Sequence, residues 1–84
     1  MNKVYIVFSE YHYEECSPEC IGVASTYDKA IDLVKKELLT TYAHWRYYKF
    51  SIEEREVDGV YLGVTLLGKE ELRRLTIEAG GTPQ

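Results

Sequence analysis

The chain has 84 residues, a formal net charge of −4 at pH 7, two cysteines and eight tyrosines. A chain of this length makes one small domain, in which roughly a third or more of the unfolded surface stays exposed. Its acidity argues against direct nucleic-acid binding, which needs clustered Lys and Arg to displace counterions. No run approaches the about 18 apolar residues of a membrane-spanning helix, and two cysteines are too few for a disulfide scaffold.

The opening residues, Met1 to Ser9, lack the length and cleavage site of a signal peptide, so a cytoplasmic protein with reduced thiols is expected. Lys3 to Ser9 alternates Val4, Ile6 and Phe8 on one side with Tyr5 and Val7 on the other, which predicts a central strand apolar on both faces. "HYEECSPEC", His12 to Cys20, follows as a polar loop longer than an ordinary hairpin connection. Ile21 to Ser25 is a second, shorter strand.

Ser25-Thr26-Tyr27-Asp28 reads as a helix start, with Ser25 as the hydroxyl cap and Asp28 three residues on to complement the helix dipole. Tyr27, Ala30, Ile31, Val34, Leu38, Tyr42 and Trp45 then recur every three or four residues, which predicts a helix from 27 to about 44 with Thr40 and Thr41 at its fraying end. Tyr48 to Val57 returns to strand character, Asp58-Gly59 signals a type I′ turn, and Val60 to Leu67 is a fourth strand.

A two-residue turn sets Leu62, Val64 and Leu66 on the same face as Arg55, Glu53 and Ser51, with Phe50, Ile52 and Leu67 opposite. Either a bulge near Glu54-Arg55-Glu56 repairs this register, or the apolar row is buried against a partner. Gly68 precedes a short helix from Lys69 to Ala79, with Leu72, Leu75 and Ala79 on one side and Glu70 spaced to pair with Arg74. Residues 1–80 form one domain and residues 81–84 a loose tail.

The order ββαββα predicts an α+β domain: one antiparallel four-stranded sheet, strand order 2-1-3-4, with the long helix on one face and a short C-terminal helix. The face of the first strand that carries Tyr5 and Val7 then needs cover from the short helix or a second subunit, so a homodimer is expected.

Residues 3–58, "KVYIVFSEYHYEE…IGVASTYDKAIDLVKKEL…YYKFSIEEREVD", resemble a small uncharacterised domain family of bacteriophages and bacteria. The shared features are a Lys-Val-Tyr strand, an acidic loop, a Ser-Thr-x-x-Lys-Ala helix start and a Phe-x-Ile-Glu-Glu strand. These motifs are structural. The resemblance implies a phage- or prophage-type accessory protein that binds host or defence proteins; the Cys- and Tyr-rich loop and the segment from Val60 onward depart from it.

Several constellations carry possible chemistry. His12, Cys16, Cys20 and His44 contain the donors of a Cys₂His₂ zinc site, but not at the usual C-x₂₋₄-C and H-x₃₋₅-H spacings, so a solvated loop with free thiols is the expectation and no metal or cofactor is assigned. Glu14, Glu15 and Glu19 beside the cysteines oppose thiolate formation, which argues against a cysteine nucleophile. Glu53, Glu54 and Glu56 read as a solvated edge rather than an acid/base pair. No glycine arrangement forms a phosphate-cradling loop.

The reading is therefore a non-enzymatic protein that occludes a host or defence protein. Tyr11, Tyr13, Tyr47 and Tyr61 serve as anchors, and Glu14, Glu15, Glu54 and Glu56 steer toward a basic surface. Two alternatives stand beside it: a nucleotide-binding module at a dimer interface, using Trp45, Arg46, Tyr48 and Lys49, and a charge mimic of nucleic acid built on the two acidic blocks.

Overall fold

In strand β1 (Lys3–Tyr11) the alternation of apolar side chains sends Val7 into a fully buried position. The computed structural model describes residues 2–11, 18–40, 45 and 47–80. After β1 come β2 (Glu19–Ala24), α1 (Tyr27–Leu38), β3 (Tyr48–Glu56), β4 (Tyr61–Leu67) and α2 (Lys69–Glu78). The strands form one four-stranded sheet in the order β2-β1-β3-β4, antiparallel at every pairing. This is the α+β architecture and strand order that the sequence predicts.

Both helices pack on one side of the sheet. Val7, Phe50 and Ile52 share a buried cluster with Ala30, Val34 and Leu38 of α1 and with Leu72 and Leu75 of α2. The helix-facing side of β2 carries small residues. Gly22 lies so close to α1 that a Cβ there would meet Leu33 Cδ1 at 2.8 Å, and Ala24 is buried beside it. The face of β1 with Tyr5 and Val7 is thus the covered one, and Val4, Ile6 and Phe8 lie on the open side. This corrects the expectation that Tyr5 and Val7 lie on the face far from the long helix: the short helix does cover them, as one of the two expected alternatives, but α1 packs on the same side, where the small residues of β2 leave it room.

Helix α1 begins at Tyr27, as expected, with its cap one residue later than the sequence suggests. Thr26, not Ser25, is the N-cap, its hydroxyl accepting from Lys29 N–H at 3.2 Å. The helix also stops earlier, at Leu38, with Leu39 as C-cap. Thr40 Oγ1 donates to the Glu37 carbonyl at 2.8 Å, so a side chain takes up a carbonyl at the point where the predicted stripe continued. Trp45 lies beyond the helix, partly buried against the core, and residues 41–44 fall outside the described residues. Tyr27 sets its ring edge-on to Tyr5, centroids 6.1 Å apart.

The β3–β4 connection is not a type I′ turn, which would require positive φ at Asp58; only Gly59 has it, at 95°. Gly59 N–H donates to Glu56 O at 2.8 Å and Glu56 N–H to Val60 O at 2.9 Å, which makes a three-residue loop. That loop shifts the register by one. A bulge between Glu54 and Arg55, opposite Tyr61-Leu62-Gly63, shifts it back. The bulge stands where it was expected, yet its effect is cancelled by the longer loop: Glu53 pairs with Val64 and Ser51 with Leu66, and the apolar row stays on the face away from the helices.

In α2 the expected Glu70–Arg74 pair is replaced. Arg74 donates to Glu71 at 2.6 Å and also to Glu78, because both carboxylates lie one turn away on the same side of the helix. Across the helix layer, Lys35 of α1 meets Glu78 at 3.3 Å.

Candidate functional site: the open face of the sheet

The face that no described helix covers can be built row by row from the strand register. Val23, Ile6, Glu53 and Val64 form one row across the four strands, and Cys20, Phe8, Ser51 and Leu66 form the next. Leu66 is 78% exposed, Val23 59% and Val64 49%, while Ile6 and Phe8 between them are half-buried. The side chain in the middle of the second row is a serine. Its small size leaves two shallow hollows, ≈ 130 Å³ beside Phe8, Pro18 and Leu66 and ≈ 300 Å³ beside Phe8, Pro18 and Val64.

Charge lies at the two ends of this apolar area. At one end Glu10 pairs in register with Lys49. At the other, Arg55 Nε donates to Glu53 at 2.5 Å and Arg55 Nη1 to the Gly59 carbonyl at 3.1 Å, with the guanidinium 5.5 Å from the Tyr61 ring centroid. The Glu53 carboxylate holds the Arg55 pKa above its ordinary value. Arg55 therefore braces the hairpin tip and neutralises the acid next to it.

The side chains singled out from the sequence are not gathered in one place. Tyr11 and Tyr48 lie at one end of the sheet with their rings against each other, centroids 5.2 Å apart. Tyr47 is 46% exposed near that end, Trp45 is turned to the core, and Lys49 is exposed. Glu54 and Glu56 sit near the other end of β3, about 20 Å along the strand from Tyr48. They alternate to the side opposite Arg55 and Tyr61. Glu54 is engaged by Lys3 at 3.2 Å, and this hydrogen-bonded carboxylate raises the Lys3 pKa.

Tyr13, Glu14, Glu15 and Arg46 lie outside the described residues. So do His12, Cys16 and His44 of the expected zinc donors, while Cys20 is exposed on β2. Among the described residues no group of three or more His, Cys, Asp and Glu side chains is placed to hold a metal ion.

The residues that the structure does bring together, Ile6, Phe8, Val23, Ser51, Val64 and Leu66, were absent from the site expected on sequence grounds. The signal was the register conflict in the last hairpin, which set Val64 and Leu66 opposite the core-facing residues of β3. No helix among the described residues is long and apolar enough to cross a membrane. Comparison with family models, with curated proteins and with solved structures found no match, and a functional reading of this chain rests on the geometry of its open sheet face.

Proposed function

We propose that the chain is a non-enzymatic binding protein that works through a protein contact on the open face of its sheet. The observation that carries this reading is the exposure of Val23, Val64 and Leu66 beside Ile6 and Phe8 on one surface. Covering such a surface contributes about 25 cal/mol per Å² of apolar area removed from water. Exposed apolar residues gathered on one face, here on either side of Ser51 and Glu53 of β3, mark contact sites.

The contact differs in kind from the acidic, tyrosine-rich one expected from the sequence. Glu53 and Glu54 are already engaged by Arg55 and Lys3, which leaves them little power to steer a basic partner or to imitate a nucleic-acid backbone. Tyr48 packs on Tyr11 and Trp45 on the core, which leaves less of their rings for a stacked base. The resemblance to phage-type accessory domains implies host or defence proteins as partners, whereas the face itself asks only for an apolar opposing surface, which a second copy of the chain also offers.

A photo-reactive amino acid placed in turn at positions 66, 64 and 77 tests the reading in the producing cell. Ile77 is 49% exposed on α2 and serves as the helix-side control. Protein adducts at positions 64 and 66 in excess of those at 77 are expected. Equal or absent adducts at the sheet positions would sink the proposal.

A further inference from the structure

Resting on that reading of the face, we infer that its occupant is a second copy of this chain, packed sheet against sheet about a twofold axis parallel to the seam between β1 and β3. Such an axis sets each residue of β1 opposite the copy's equivalent of its own β3 neighbour, and exchanges β2 with β4 in the same way. The register then specifies the contacts. Phe8 and Ser51 are neighbours, so each Phe8 ring faces the hollow over the other chain's Ser51. Glu10 and Lys49 are neighbours, so each carboxylate faces the other chain's ammonium. Val23 and Val64 share a row and meet across the interface, as do Cys20 and Leu66.

This complementarity is what an isologous interface requires, and an arbitrary apolar face would not have it. A large side chain stands opposite a small one, an acid opposite a base, and valine opposite valine. Glu53 and Arg55 are the exceptions, because they come opposite Ile6 and Val4; they are hydrogen-bonded to each other, so each meets the apolar side chain with its charge already partnered. Among the described residues the four charged groups of the face, Glu10, Lys49, Glu53 and Arg55, balance, although the chain carries −4.

Size and edges point the same way. Four strands at ~4.8 Å and about seven residues at ~3.3 Å give a face of roughly 20 by 23 Å, or about 900 Å² of projected surface for two copies. Side-chain relief raises this past the ~1,000 Å² that a biological interface needs. Pairing through strand edges is the competing geometry. Both edge strands are interrupted by bulges, at Ile21 in β2 and at Leu62 in β4, and a bulged edge is a poor template for another strand.

The test uses the full chain. Sedimentation and light scattering are expected to show a dimer, and Leu66→Glu to leave a folded monomer by circular dichroism, since Leu66 is 78% exposed and contributes little to the core. Lys49→Glu alone and Glu10→Lys alone each weaken the dimer, on the order of tenfold. Mixed in equal amounts, these two variants re-associate as a heterodimer detectable by native mass spectrometry. Every chain in that mixture still lacks its own Glu10–Lys49 pair, so the rescue reports the contact between chains.

A dimer that survives Leu66→Glu and shows no preference for the mixed pair overturns the inference. A monomer whose position 66 cross-links to a different protein, a host or defence component included, overturns the second copy while leaving the contact face standing. A monomer with no adducts at that face overturns both.

Discussion

Gly22 marks a point of close approach between α1 and the sheet, with Leu33 seated over the place a Cβ would occupy. The atom in the way is the end of a flexible side chain, so Gly22→Ala asks only that Leu33 turn. Gly22→Val must push the helix out, at a cost of about 1–3 kcal/mol. Chemical denaturation measures both substitutions, and Leu33→Ala in the same chain is expected to recover most of the valine's cost. The sequence marks Ile21-Gly22-Val23 as a strand but says nothing of this role. Spacing reports how side chains alternate, whereas the room a residue must leave depends on an element eleven positions further on.

Among elements, existence and type were legible throughout, because period-two and period-3.6 patterns are imposed by the geometry of strands and helices themselves. The ends were less so. Ser25 and Thr26 are both favoured caps by chemistry, Ser the more so, and the backbone decides that Thr26 is used. The hairpin is the more instructive case. Its conflict of faces was visible in the sequence, and the expected bulge is present, yet Asp58 keeps negative φ and the three-residue loop restores the original register. Two local departures that cancel leave no trace in the pattern of the strands.

Helices α1 and α2 are tied by Lys35 and Glu78. The hydrogen bond from Lys35, with the nearby Arg74 charge, lowers the Glu78 pKa below its ordinary value of 4.5. The folded state then binds fewer protons than the unfolded state around that value. This stabilisation is present above about pH 4.5 and is lost as the pH falls through the lowered folded-state value. Thermal unfolding of Glu78→Gln is expected to lie closer to that of the unaltered chain in acid than at neutral pH. A difference that widens as pH falls would contradict the assignment.

At the scale of the whole molecule the structure is two layers thick, 18 Å in its shortest dimension, with every described helix on one side. A sheet backed by the long helix was legible in the order ββαββα, but the placing of α2 on the same side as α1 was not. Which side stays open was not, because Val4, Ile6 and Phe8 are as apolar as Tyr5 and Val7, and only tertiary packing distinguishes them. The candidate site was missed for the same reason: Phe8 and Leu66 read as core residues until a face is found to lack its cover. If the sheet faces close on one another, folding and association are linked. The unfolding midpoint is then expected to rise with protein concentration, and Leu66→Glu to make it concentration-independent.

The bulges at Ile21 and Leu62 have a bearing on crowded conditions. Each kinks an outer strand, and a kinked strand presents its spare amides out of line to any newcomer. Stacking face to face shuts after a single partner, whereas joining strand to strand can run on without end. With the endless route spoiled on both flanks, concentrating this protein should yield more closed pairs and no fibrils.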